Sequence, residues 1–279
     1  SARAPAYAER IVIVPTGRRG TLQLQTLWAY RELLYFLSWR DIKVRYRRTL
    51  LGAAWAIIQP ILMMTVFTIF FGKLAGIASD GVPYAAFALA ALVPWMFFSN
   101  GMMSSATSVE TQSYLINKVY FPRLLLPVSC VIAGSIDFGV NLILLLGLSI
   151  YWCGLPTASW LLVPPLILLT VLIALGVGIW FAALQARFKD VQFLMGFITQ
   201  MWMFLTPIAY PSSLISPRWR MLYALNPMVG VVEGFRWALL RTPTAPVPQL
   251  LISAGMAVLL LITGARHFRR VEYVFADLI

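Results

Sequence analysis

Long apolar runs without charge constrain the fold of this chain more than any other feature. Residues 49–72, for example, contain no ionisable side chain. About 20 apolar residues in a helix cross a hydrocarbon core of about 30 Å, because each residue adds about 1.5 Å. Backbone polar groups in lipid need partners within the protein, which favours helices. The sequence therefore predicts an all-α integral membrane protein. Its six candidate spans cover roughly residues 50–72, 84–107, 124–152, 160–184, 192–210 and 247–265.

Composition argues against several other classes of protein. Of the 279 residues, 60% are hydrophobic and 11% are charged, which leaves too little polar surface to cover a soluble core. The cysteines, Cys130 and Cys153, lie in or beside one apolar segment, so packing is favoured over a disulfide or metal site. The single histidine, His267, lies in a basic tail and offers no catalytic triad or zinc site. Neither a metal nor a cofactor bound by this chain is predicted.

The sequence also lacks the motifs of an energy-converting enzyme. It has no glycine-rich P-loop to hold ATP phosphates, and its spans carry no paired carboxylates for hydrolysis. No internal repeat typical of secondary transporters is evident. The chain is therefore predicted not to be an enzyme, and its energy source is expected on a separate protein.

Positive charge predicts the orientation of the bundle. With a cytoplasmic N-terminus, 17 of the 22 Lys and Arg residues fall in residues 1–49, in the loops 108–123 and 185–191, and in the tail from residue 266. Cytoplasmic segments of membrane proteins are enriched in these residues. Both termini are therefore predicted to be cytoplasmic.

The stretch "WRDIKVRYRR" before the first span has the pattern of an amphipathic interface helix. Tyr35 and Trp39 share one helical face with Ile42 and Tyr46. The bases form another face, which contains Arg40, Lys43 and Arg47, and Asp41 is placed to pair with Arg45. A helix of this kind lies in the membrane interface. Two interpretations stay open: contact with lipid headgroups alone, or contact with an anionic substrate headgroup or a partner protein.

Residues 211–246 are too apolar for an ordinary external loop. Asn226 followed by Pro227 is typical of a helix start, and Glu233 and Arg236 lie one turn apart beyond it. An upstream turn at residues 217–225 is amphipathic as well. We expect two short helices here, which either dip back into the bundle or lie flat at its surface.

A polar and aromatic stripe runs down the fifth predicted span. Its members recur at helical spacing and are Gln192, Met195, Thr199, Trp202, Thr206 and Tyr210. A stripe of this kind should face away from lipid, and it can either line a pore or bond neighbouring helices. The second span adds Trp95, Phe98 and Asn100 as channel candidates. Aromatic faces beside polar groups suit the passage of carbohydrate.

One acid, Asp137, lies deep within a predicted span. An ionisable residue at such a position suggests a functional site by default. Because no second membrane acid or base forms a proton relay with it, we expect a structural residue that faces the interior. Asn141, one turn away, is the expected partner.

Four segments in order resemble the transmembrane subunit of ABC-type polysaccharide exporters. They read "WRDIKVRYRRTLLGAAWAIIQP", "LINKVYFPRLLLP", "ARFKDV" and "NPMVGVVEGFRWALL". This family includes the permeases for O-antigen, capsule and teichoic acid, and the resemblance covers about residues 30–265. It implies a basic cytoplasmic segment at 1–30, a six-span permease domain at 31–265 and a cytoplasmic tail at 266–279.

The resemblance also implies partners and a location. These are a second copy of the chain, two separate ATP-binding subunits that hold the ATP and Mg²⁺, membrane lipids, and a polysaccharide on undecaprenyl diphosphate. No nucleic acid partner is expected. The chain is expected in a bacterial inner membrane. O-antigen is the first expected cargo and capsular polysaccharide or teichoic acid the second. A membrane-embedded glycan- or lipid-modifying enzyme and a small-molecule drug exporter remain less favoured alternatives.

Residue roles follow from the resemblance position by position. The resemblance implies a channel at the dimer interface with a lateral gate between spans one and five, and Trp55 and Gln59 join the channel candidates above. The lipid diphosphate is expected to meet Arg45, Arg47 and Arg48. A cytoplasmic coupling helix with Tyr114, Lys118 and Arg123 is expected to dock on the ATPase. The two external helices are expected to form a gate that includes Trp219, Glu233, Arg236 and Trp237.

Overall fold

The computed structural model describes residues 28–47, 52, 54–119, 121–242 and 244–272. Within these ranges every regular element is helical, as the sequence predicts. The α-helices are α1 (Arg31–Tyr46), α2 (Ala54–Phe67), α3 (Tyr84–Thr111), α4 (Ser113–Lys118), α5 (Leu125–Cys153), α6 (Val163–Arg187), α7 (Val191–Phe204), α8 (Pro217–Tyr223), α9 (Pro227–Leu240) and α10 (Val247–Glu272). A π-helical segment, Thr68–Leu74, continues α2, and short 3₁₀ turns precede α6 and α8.

Five helical segments are long and apolar enough to cross a membrane, and they confirm the predicted spans one to four and six. They are Ala54–Leu74, Tyr84–Thr111, Leu125–Cys153, Ala158–Arg187 and Val247–Glu272. The fifth prediction, a continuous helix over 192–210, is wrong beyond residue 204. There α7 ends after 14 residues, and the chain turns through Thr206 and Pro207. The proline lacks an N–H and disfavours helical geometry at the residue before it.

Helix α3 forms the centre of the bundle. Its first sixteen positions are almost entirely buried, and it packs against α2, α5, α6, α7 and α9. Its residues are apolar all round rather than on one face, which is the pattern of a helix enclosed by others. In contrast, only 11% of the α2 span is buried within this chain. The subunit therefore has a tightly packed centre and a sparsely packed edge.

A second, smaller core holds α1 to the rest of the chain. Leu37 of α1 is fully buried beside Leu125 at the start of α5 and Phe268 near the end of α10. The aromatic pair Tyr35 and Trp39, predicted to share a face, stacks with ring centroids 6.4 Å apart and stays exposed. The buried face of α1 is thus aliphatic, whereas its aromatic face is exposed on the surface of the subunit.

Two glycines allow α6 and α10 to approach closely. A Cβ atom on Gly176 would lie 3.0 Å from the Leu261 backbone nitrogen, and one on Gly264 would lie 2.9 Å from the Gly176 carbonyl oxygen. Small residues at helix crossings let backbones pack closely in membranes. Trp180 Nε1 donates a hydrogen bond of 3.0 Å to Thr263 Oγ1 at the same contact.

We expect Gly264→Ala to destabilise the protein by about 1–3 kcal/mol, because the added methyl group meets backbone atoms that cannot move aside. Gly255→Ala on the same helix is the matched control, since a Cβ there meets nothing within 4 Å. Thermal unfolding of the purified protein in detergent would measure both. A Gly264→Ala midpoint equal to that of Gly255→Ala would contradict the packing described here.

Candidate functional site

Asp137 of α5 joins the basic helix α1 to the bundle. Arg45 Nη1 donates to one carboxylate oxygen of Asp137, and the Tyr46 hydroxyl donates to the other. The predicted partners were different. Asp41 pairs with Arg40 at 2.8 Å instead of Arg45, and the structure records no bond between Asn141 and Asp137. Because α1 runs alongside α5, Arg45 pairs with Asp137 on that neighbouring helix rather than with Asp41 on its own helix.

A polar cleft opens beside this ion pair, between α1, α3 and α5. It encloses about 340 Å³ including its mouth. Its polar lining consists of Arg45, Asp137, Asn100, Ser104 and Asn141, and its apolar lining includes Phe97 and Phe138. The two phenyl rings stack with centroids 4.5 Å apart and form a rigid wall. The cleft therefore combines a cation, an anion and neutral hydrogen-bonding groups.

Asn141 is the group in this cleft whose hydrogen bonding is incomplete. Its side chain is 6% exposed, and within the described part of the chain its Oδ1 atom has no partner. An unmade hydrogen bond of a buried polar group costs about 1–3 kcal/mol. Its Oδ1 atom is thus available to accept a hydrogen bond from a donor group that enters the cleft.

The three predicted diphosphate-binding arginines are not placed alike. Arg45 lies in the cleft, whereas Arg47 caps the end of α1 and is exposed. Arg48 lies outside the described residues. The structure therefore places one of the three beside the polar groups of the bundle.

The stripe on α7 faces the subunit's own helices. Met195 is buried, and Thr199 Oγ1 donates 2.7 Å to its carbonyl oxygen. Trp202 Nε1 donates 2.9 Å to Asn226 Oδ1, and Asn226 Nδ2 donates 3.0 Å to the buried hydroxyl of Thr206. Of the two interpretations left open, packing is the one this arrangement favours. The exposed side of the helix carries Phe193, Phe197 and Phe204 together with Gln192 and Gln200.

The other channel candidates divide into two groups. Trp95 and Phe98 are buried, and the Phe98 ring meets the Trp202 ring edge-on at 5.0 Å, so they pack α3 against α7 rather than line an open path. Trp55 and Gln59 on α2 and Asn100 on α3 are exposed. Gln192 is exposed as well, and the Tyr210 hydroxyl lies 3.0 Å from that of Tyr223 in α8.

The segment before α10 forms two helices, as expected. Asn226 Oδ1 accepts a hydrogen bond of 3.1 Å from Met228 N, which confirms the predicted helix start. Helix α9 is largely buried and packs against α3, α6 and α10. Helix α8 stays at the surface, with Trp219 exposed. Of the two predicted gate helices, α9 is thus enclosed by the bundle and α8 lies at its surface.

Arg236 is a fixed anchor in this structure. Its side chain is 1% exposed and donates to Glu233 at 3.2 Å, which confirms the predicted pair. It also donates 3.0 Å to the Ile208 carbonyl oxygen, and its guanidinium lies 3.4 Å from the centre of the Phe87 ring. The neighbouring Trp237 is half-buried against the core. These contacts attach α9 to α3 and to the turn after α7. The predicted role of Arg236 in a gate did not include such a fixed position.

The predicted coupling loop contains the short helix α4. Tyr114 is 71% exposed, and Lys118 Nζ donates 2.6 Å to its hydroxyl while lying 4.3 Å from its ring centre. Arg123 has internal contacts instead: its backbone N donates 3.1 Å to Glu272 Oε1, and its guanidinium donates to the Glu272 carbonyl oxygen. Arg123 therefore ties the start of α5 to the end of α10. No cluster of His, Cys, Asp or Glu within the described ranges could hold a metal ion.

Comparisons with known proteins agree with this architecture. Residues 32–240 match the family described as ABC-2 type transporter. The O-antigen export system permease protein RfbA of Myxococcus xanthus is 30% identical over 257 residues, which cover 91% of this chain and 98% of that protein. The protein of the same name from Klebsiella pneumoniae is 25% identical over 249 residues, or 89% and 95% of the two chains. The polysialic acid transport protein KpsM of Escherichia coli is 24% identical over 206 residues, or 72% and 78%.

The family match covers well over half of the sequence, and it includes nearly all of α1, the first four spans, the shorter helix α7 and the buried helix α9. The M. xanthus relative extends the similarity to nearly the whole of both chains. The chain therefore belongs to the ABC-2 type transporter family.

Proposed function

We propose that this chain is the membrane-spanning subunit of an ATP-driven exporter of lipid-diphosphate-linked polysaccharide, with O-antigen as the first candidate cargo. The observation that carries the proposal is the similarity, over nearly the full length, to proteins named as O-antigen export permeases. Similarity to a polysialic acid transport protein supports capsular polysaccharide as the second candidate, and teichoic acid remains a further one.

The charge distribution supports a location in a bacterial inner membrane with both termini in the cytoplasm. Lys and Arg are concentrated in the segments that this orientation places inside. In that orientation, the cleft beside Asp137 belongs to the cytoplasmic half of the bundle, because Asp137 is nearer the N-terminal end of α5. A lipid-linked substrate that enters from the cytoplasmic side would meet Arg45 there through its diphosphate, together with Arg47 and Arg48. Guanidinium groups suit this role because their N–H groups match phosphate oxygens.

The partner subunits are the second part of the proposal. Tyr114 and Lys118 are presented on a short helix at the cytoplasmic side, where a separate ATP-binding subunit would dock. A second copy of the chain would cover part of the apolar surface left on α2 and α7, which includes Leu62, Val66 and Phe197. Two copies of each subunit would make the complete exporter.

The polymer path is proposed along α2 rather than along the stripe on α7. The stripe is occupied by contacts to Asn226 and Phe98. Trp55 and Gln59 on α2 and Asn100 on α3 remain exposed, and they offer an aromatic face and amide groups to a passing sugar chain. Of the two interpretations of the stripe left open by the sequence, helix packing is therefore the one that this proposal adopts.

Deleting the gene in the source bacterium is expected to remove the polysaccharide from the cell surface and to leave lipid-linked polymer in the inner membrane. Gel analysis of surface polysaccharide and of extracted lipid-linked glycan would measure both pools. Complementation by the intact chain should restore the surface pool. Unchanged surface polysaccharide in the deletion strain would refute the proposal.

Replacing Tyr114 and Lys118 together with Ala should weaken co-purification of the ATP-binding subunit by about tenfold or uncouple ATP hydrolysis from export, because exposed aromatic and cationic side chains often dominate such contacts. Tyr151→Ala is the matched control, since Tyr151 is 81% exposed at the opposite end of α5. If the double variant matches the control both in the amount of ATPase retained and in the coupling of ATP hydrolysis to export, α4 is not the docking helix.

Cysteine labelling separates the two possible polymer paths. In a background with Cys130 and Cys153 replaced by Ala, Gln59→Cys should react with a small water-soluble thiol reagent during transport, whereas Thr206→Cys should stay protected. Ile143→Cys, on an exposed apolar position of α5, controls for surfaces covered by lipid. Labelling at Thr206→Cys without labelling at Gln59→Cys would return the path to α7.

A further inference from the structure

The ion pair between Arg45 and Asp137 is weak enough for another anion to replace Asp137. Its side chains are 36% and 26% exposed, and pairs with such access to water contribute only about 0.2–1 kcal/mol. Within the described part of the chain, the guanidinium contacts Asp137 through Nη1 alone, although an arginine offers five N–H donors. The other N–H groups of this guanidinium would be available to a second, larger anion.

We propose that Asp137 holds the place of a substrate phosphate. Its carboxylate neutralises Arg45 in the empty subunit and gives way when the diphosphate of the lipid-linked substrate enters the cleft. The inference rests on the proposed function and deepens it, because it assigns Asp137 a role in selecting and releasing the headgroup. Asp137 is in this sense a positioning residue that acts through Arg45.

Charge in the cleft favours exchange over simple addition. Arg45 is paired with Asp137, and Arg40 on the same helix is paired with Asp41, so both of these cations already have a carboxylate. A diphosphate that contacts Arg45 while Asp137 stays in place would face the repulsion of a like charge. A charge-assisted bond from Arg45 to phosphate is stronger than its half-exposed bond to Asp137 when the geometry allows two parallel contacts.

Asn141 provides the second contact for the incoming group. Its amide lies one turn beyond Asp137, is buried, and has no partner for Oδ1 among the described residues. The cleft has room for about two or three water-sized groups, which suits a phosphate rather than a whole sugar. The oxygen and nitrogen of an amide are nearly equal in size, so a half-turn of the side chain would present the NH₂ group to phosphate oxygens.

Exchange would also change the contact between α1 and α5. The Asp137 carboxylate accepts bonds from both Arg45 and Tyr46, which are the last two residues of α1. Drawing Arg45 to a phosphate removes one of these two bonds. Binding of the headgroup is thereby linked to the end of α1 that leads to the first span.

The test measures diphosphate binding to the full chain in nanodiscs of phosphatidylcholine, with farnesyl diphosphate and inorganic pyrophosphate as probes in calorimetric titrations. Asp137→Asn should bind farnesyl diphosphate about 2- to 5-fold more tightly than the wild type, because the competing charge is gone. Arg45→Gln should lose about tenfold or more. Combining the two changes should reproduce Arg45→Gln, because Asp137 acts through Arg45. Asp190→Asn removes the same charge from an exposed loop and should bind like the wild type.

A purely structural Asp137 would give the opposite result. In that case Asp137→Asn would bind the probe equally or more weakly, and the inference would be overturned. Asn141→Asp supplies an independent arm, since it adds a carboxylate beside the cleft with little change in shape and should weaken binding about 5-fold or more. Unchanged affinity in Asn141→Asp would also overturn the inference, including where Asp137→Asn fails to accumulate.

The probes distinguish the source of the phosphate and separate this inference from the proposed function. If pyrophosphate competes, the site recognises the diphosphate itself. If only farnesyl diphosphate binds, recognition also requires the attached isoprenoid chain. If neither the wild type nor Asp137→Asn bound either probe, the inference would fail. The export assignment would still stand or fall on the surface polysaccharide of the deletion strain.

Discussion

Polar groups at membrane depth must find their partners inside the protein, and this requirement organises the whole subunit. Arg236 meets it with Glu233, a backbone carbonyl of the turn after α7 and the face of Phe87. Asn226 meets it by bonding both Trp202 and Thr206 while it starts α9. These contacts join α3, α7 and α9 at one level of the bundle. The short helix α7 is acceptable because this network satisfies the groups that its early end would otherwise expose.

Asp137 and Asn141 meet the same requirement only in part, which is why the cleft is the functional candidate. Arg236 is buried, and each of its three guanidinium nitrogens donates a hydrogen bond. In contrast, the side chains of Arg45 and Asp137 are partly exposed to water, and Asn141 Oδ1 has no partner among the described residues. A fully satisfied network rigidifies its surroundings, and a partly satisfied one is ready to accept a ligand. The subunit thus separates its structural cation from its exchangeable one.

Local features of the fold could be predicted from the sequence, and long-range contacts could not. Helix periodicity and apolar length identified five spans, and the Asn226–Pro227 pair marked the start of α9. Pro207 was a visible signal for the early end of α7. The Arg45–Asp137 pair joins positions 92 residues apart, and no local spacing encodes such a contact. For the α7 stripe, periodicity indicated a shared face but not what that face meets, because a pore and a neighbouring helix select similar residues.

The close contact between α6 and α10 bears on how the subunit can move. Gly176 and Gly264 let the backbones of α6 and α10 touch, and even one added Cβ there would meet backbone atoms of the other helix, so this contact tolerates little displacement. Helix α2, with little of its surface buried in the chain, has no such restriction. A rearrangement of the subunit would therefore displace α2 more readily than it would separate α6 from α10.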